Sequence, residues 1–124
     1  MPTASDLIGT WRVTGFSEWR DSRERHPLGE NPVGYAIFDA AGRIFIQLSK
    51  SPGRGVSPEE MAGSFIAYFG TFKVNGDTLI VAIESGNEPG DVATAQTRTI
   101  TQDGDTLSIG IPGQFMATLQ RARD

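Results

Sequence analysis

Glu84 lies near the end of one β-type run, and Arg98 near the middle of the next. If alternate residues share a face, Glu84 lies with Ile80 and Ala82, and Arg98 with Gln96 and Ile100. On neighbouring strands of a rolled sheet both sets are expected inside, setting a carboxylate against a guanidinium. A buried carboxylate needs such a partner, and arginine supplies one that is planar and always charged. Three chemistries fit. The pair is a closed ion pair that fixes strand register. Alternatively, Arg98 or Gln96 orients a carboxylate, carbonyl or hydroxyl of a ligand. In the third, Glu84 is a catalytic general acid or base whose pKa is raised by burial. Gln47 and Tyr68 add hydrogen-bonding groups to the same interior. The inward assignment rests on strand parity, and a one-residue slip turns Leu79, Val81 and Ile83 inward instead.

Other chemistry is scarce. The 124 residues contain no cysteine, which excludes disulfides, thiolate metal sites and a cysteine nucleophile. The single histidine, His26, sits in a charged loop and rules out a multi-histidine metal site; no metal and no cofactor are expected. No Gly-x-Ser-x-Gly elbow is present, and the glycine-rich Ser51–Gly55 stretch lacks the lysine of a phosphate loop. The net charge of −4 argues against nucleic acid as a partner. No apolar run approaches the ~20 residues that span a bilayer, so no membrane association is expected. Met1 to Asp6 shows no secretory pattern, and the expected compartment is the cytoplasm.

Short strands separated by turn residues must position these side chains. Leu7 to Trp19, Val33 to Asp39 and Arg43 to Lys50 read as the first three. Asn75-Gly76 separates Tyr68–Val74 from Thr78–Glu84, and Asp103-Gly104 separates Thr94–Gln102 from Thr106–Ile111. Both dipeptides favour the positive φ of tight hairpins. Pro112-Gly113 then returns the chain into Gln114–Arg121. Between the third and fourth strands, Ser57-Pro58-Glu59-Glu60 reads as a capped helix start. Met61, Phe65 and Ile66 form its apolar side, which is expected to plug one end of the fold. Eight strands joined mostly by hairpins predict a single all-β domain over 1–124: an antiparallel up-and-down barrel, closed so that no edge is exposed. Gly15 marks a bend or bulge in the first strand. Phe16 falls on the face opposite Trp11, where it is exposed or meets another subunit of a homodimer.

Gly9-Thr10-Trp11 resembles the Gly-x-Trp signature of lipocalins and other calycins. In that superfamily the Trp packs at the barrel base under an Arg from the last strand, a role that falls to Arg121 here. The pair would join first strand to last through cation–π stacking, worth about 1 kcal/mol. The segment Pro27–Tyr35, Gln47, the run Ala67–Phe72, Gln96, Arg98 and the turn Asp103–Asp105 resemble the small bacterial lipocalin-like domain family. Strand-centre histidines often found in that family are replaced here by Val81 and Ala82. The resemblance implies a barrel with an interior cavity more firmly than it implies an activity.

The expected function is therefore binding of a small apolar or amphipathic molecule inside the barrel, with Tyr35, Phe45, Gln47, Tyr68, Glu84, Gln96, Arg98 and Phe115 as the lining. The rival is a cyclase, isomerase or lyase acting on a polyketide- or terpenoid-like substrate in the same cavity, with Glu84 catalytic. A third reading is a protein-interaction module, which predicts a filled interior and a large apolar outer patch.

Overall fold

The computed structural model describes residues 2–53, 55–87 and 95–123. Its strands are β1 (Gly9–Arg20), β2 (Arg23–Arg25), β3 (Val33–Phe38), β4 (Arg43–Ser49), β5 (Ile66–Asn75), β6 (Thr78–Gly86), β7 (Ala95–Asp103), β8 (Thr106–Ile111) and β9 (Phe115–Arg121), with short helices α1 (Ala4–Leu7) and α2 (Pro58–Gly63). All pairings are antiparallel. β1 and β3–β9 follow one another around the sheet, and β1–β9 pairing closes an eight-stranded barrel. β2 is a ninth, three-residue strand folded back on the end of β1. Its turn, Asp21-Ser22, holds two non-glycine residues at φ 50° and 63°, so no glycine announces it.

The hairpins expected at Asn75-Gly76 and Asp103-Gly104 form, each one residue later than the dipeptide suggests. Asn75 pairs with Thr78 and Asp103 with Thr106. The two-residue loops are thus Gly76-Asp77 and Gly104-Asp105. Glycine takes the first loop position at φ 65° and 61°, where a side chain would be strained.

Alternation along the strands separates a packed half from a hollow half. Trp11, Phe38, Ile44, Leu79, Val81, Ile100, Leu107 and Leu119 are fully or almost fully buried, each side chain contributing about 1.5–3 kcal/mol of transfer free energy. Phe38 and Phe72 meet edge to face at 5.0 Å between ring centres. The opposite end carries the cavity described below.

Two bulges interrupt the strands, and the first alters an expected face. In β1 the register against β9 shifts between Val13 and Gly15, so Phe16 turns to the same side as Trp11 and Val13. Phe16 is buried, not an exposed or subunit-contacting residue. In β6, Phe69 opposes Ser85 while Gly70 opposes Ile83, which leaves Glu84 as the extra residue.

The N-terminal α1 was not expected. Thr3 caps it: the Thr3 hydroxyl accepts from the Asp6 amide at 3.4 Å, and the Asp6 carboxylate accepts from the Thr3 amide at 2.8 Å and from its hydroxyl at 3.0 Å. The backbone bond from Thr3, then the hydroxyl bond, hold the Asp6 pKa below its ordinary value. A carboxylate with a lowered folded-state pKa stabilises the fold above its unfolded pKa, near 4, and that contribution is lost as pH falls through the lower folded value. Thermal melts of Asp6→Asn should therefore show a shallower loss of Tm than the parent below about pH 4. Parallel acid limbs would mean that these bonds are not maintained in solution.

Helix α2 forms where Ser57 and Pro58 predict it. The Ser57 hydroxyl accepts from the Glu60 amide at 3.1 Å, with Pro58 in the first turn. It buries none of its residues and so does not plug the barrel. Phe65 and Ile66, immediately after it, reach the interior instead.

Candidate functional site

The barrel base is sealed by the first and last strands. Trp11 is completely buried and donates from Nε1 to the Leu7 carbonyl at 2.8 Å. The Arg121 guanidinium lies 4.2 Å from the centre of the Trp11 ring system. Its Nη1 donates to the Ile8 carbonyl at 3.0 Å and its Nη2 to the Asp6 carbonyl at 2.7 Å. One side chain from β9 thus holds the end of α1, the start of β1 and the indole face together. Gly9 precedes this junction at φ 131°, and a Cβ there would come within 3.0 Å of Arg121 Nη1.

At the other end lies a cavity of about 380 Å³, within the range of small-molecule sites. Much of its lining is aliphatic: Ala36, Ile46, Leu48, Ile83, Ile109 and Ala117 all face it. Aromatic rings complete the wall. Phe16 and Phe115 stack at 6.1 Å and 24° between planes, and Tyr68 and Phe65 also face the space. The Arg98 guanidinium lies 5.1 Å from the Phe115 ring centre, and its Nη1 donates to the Thr97 carbonyl at 2.8 Å. No carboxylate pairs with Arg98 among the described residues. Glu18 also borders the space but is engaged by Arg20 Nε at 3.0 Å. Asn87 stitches the mouth: its Oδ1 accepts from the Ala67 amide at 3.1 Å, and its Nδ2 donates to the Phe65 carbonyl at 2.6 Å.

The structure divides the expected lining residues into two sets. Tyr68, Arg98 and Phe115 border the cavity. Gln96 opposes the fully buried Val81 and shares its inner face. Tyr35, Phe45 and Gln47 point outward, because Ala36, Ile44, Ile46 and Leu48 between them take the inner positions. Glu84 is exposed as well. Leu79 opposes Arg98 and Val81 opposes Gln96, so the inner face of β6 carries Leu79, Val81 and Ile83, and Ile80 and Ala82 look outward. The Glu84–Arg98 ion pair does not form, and a buried catalytic carboxylate at residue 84 is withdrawn. His26 lies in the loop after β2, its Nδ1 3.4 Å from the Phe16 carbonyl oxygen and its side chain half exposed. Sequence reasoning missed most of the lining, among it Phe16, Glu18, Ile46, Ile83, Asn87, Ile109 and Ala117. A uniformly aliphatic set, Leu79, Val81 and Ile83, against one holding a glutamate was the available signal for β6.

Among the described residues no helix is long and apolar enough to cross a membrane, and no group of histidine, aspartate or glutamate side chains could hold a metal ion. No curated protein matches the chain. A crystal structure of an uncharacterized protein from Bacteroides eggerthii superposes with a TM-score of 0.54 over 94% of this chain and 100% of that one, at 11% identity, which shows a shared fold. The family model for the lipocalin-like domain matches residues 8–122, almost the whole barrel. The closed eight-stranded cylinder and that match together establish that this chain belongs to the lipocalin-like domain family.

Proposed function

We propose that the barrel binds one small, mostly apolar molecule with an anionic or carbonyl head, held without turnover in the cavity between Ile46 and Phe115. The observation that carries this is Arg98, a cation facing an apolar space with no carboxylate partner among the described residues. A ligand that buries on the order of 200 Å² of apolar surface gains about 5 kcal/mol before entropic costs. A charge-assisted bond to the guanidinium adds about 1.5–3 kcal/mol and fixes which end enters first. The cyclase or lyase alternative needs an acid or base in the cavity, and the carboxylate it relied on, Glu84, lies outside.

Displacement of the fluorescent probe anilinonaphthalene sulfonate by decanoate and by 1-decanol tests this. Arg98→Ala should weaken decanoate roughly tenfold to a hundredfold while leaving 1-decanol nearly unchanged. Equal weakening of both would remove Arg98 as the head-group anchor. Failure of either amphiphile to compete in the parent protein would remove the apolar-ligand reading.

A further inference from the structure

The outer face of β3–β5 is more apolar than the surface of a solitary barrel requires. Val33, Tyr35, Ile37, Phe45 and Phe69 are each 39–42% exposed and form one band. Ile37 opposes Phe45 and Phe45 opposes Phe69 across neighbouring strands. The Phe45 and Phe69 rings stack at 6.0 Å and 23°. Gly34, Ala67 and Gly86 have little or no side chain, and a shallow groove runs beside the two rings. At roughly 200 Å² per large side chain, the band leaves on the order of 400 Å² of apolar surface in water.

The charges at its two edges are of opposite sign. β1 and β6 each lie two strands from β4, on opposite sides. On β1, the Arg12 guanidinium sits 4.9 Å from the Tyr35 ring centre. On β6, the bulge places exposed Glu84 beside Phe69, with no ion-pair partner among the described residues. We propose that this face is a homodimer interface, with a second copy of the chain related by a two-fold axis lying close to β4 in the plane of contact. That symmetry sets Phe45 against Phe45 and brings Arg12 of each copy to Glu84 of the other. An isologous contact requires such self-complementarity. Arg43, at the far end of β4, has Asp39 at 3.9 Å to offset its charge near the axis. With the polar rim of Arg12, Gln47, Thr71 and Glu84, the face approaches the ~800 Å² per partner of a standard interface. Its aromatic centre and arginine edge match the composition of such contacts. The proposal is independent of the cavity, because these side chains point away from it.

Sedimentation equilibrium from micromolar to submillimolar concentration gives the test. The parent should approach twice the 13.4 kDa chain mass. Phe45→Glu should weaken the dimer at least about tenfold. Arg12→Glu or Glu84→Arg alone should weaken it, and the double exchange Arg12→Glu/Glu84→Arg should restore it. All three substituted positions are solvent-exposed strand positions, and matching circular dichroism spectra would show that the fold is intact. A parent that stays monomeric throughout, or a dimer indifferent to Phe45→Glu and to both single charge reversals, would overturn the proposal.

Discussion

Trp11→Ala should lower the unfolding free energy by about 3–5 kcal/mol, the range for removing a fully buried large aromatic side chain. The loss has three sources. A cavity opens at the barrel base, the Leu7 carbonyl loses its indole donor, and Arg121 loses the ring beneath its guanidinium. Domains of this size are stable by about 5–15 kcal/mol, so the variant would sit near the edge of folding. Trp11→Phe separates the contributions, because it keeps a ring under Arg121 but removes the hydrogen bond, at a cost of about 1–3 kcal/mol for the unpaired Leu7 carbonyl plus a smaller packing loss. Urea denaturation reads both as shifts in midpoint at constant slope. An alanine variant within about 1 kcal/mol of the parent would show that the base junction does not hold the closed barrel together.

That junction was legible because it depends on residue types at fixed places: Gly9, Trp11 and a terminal arginine. The hairpins at Gly76 and Gly104 were legible for the same reason, since a left-handed loop position selects its residue. The Asp21-Ser22 hairpin was hidden because two ordinary residues occupy such positions. The four-residue α1 is too short for periodicity to show, and its Thr3 cap becomes informative only once the helix is known.

The lining was harder to read for a physical reason. In β3 and β4 both faces carry apolar residues, because one packs the barrel and the other forms the outer band. Tyr35, Phe45 and Gln47 look like lining when aromatic and amide groups are sought, yet Ile44, Ile46 and Leu48 form the more uniform set. Bulges compound the difficulty. A single extra residue, Thr14 in β1 or Glu84 in β6, reverses parity for whatever follows it in the strand, and only pairing with the neighbouring strand reveals it. Arg98 and Phe115 share the inward face of the buried residues Ile100 and Ala117, because each stands two residues from its buried neighbour with no bulge between them.

Ala117→Phe should abolish binding of the amphiphilic probes, by about a hundredfold or more, while the protein remains folded. Ala117 lies on β9 between Phe16 and Ile109 and faces the open cavity. A phenyl ring there enters space that is already unoccupied by side chains, so its stability cost should stay below about 1.5 kcal/mol. Val81→Phe is the matched control. Val81 is completely buried in the packed half and does not border the cavity, so the added ring has no room and should cost about 1–3 kcal/mol or more. Opposite outcomes at two inward-facing positions would locate the hollow half of the barrel without reference to any particular ligand. If Ala117→Phe left probe affinity unchanged, the amphiphile would have to be held elsewhere, and the groove beside Phe45 and Phe69 is the apolar surface open to it. Loss of binding in Ala117→Phe with the dimer intact, and loss of the dimer in Phe45→Glu with binding intact, would show that the cavity and the outer face of β3–β5 act independently.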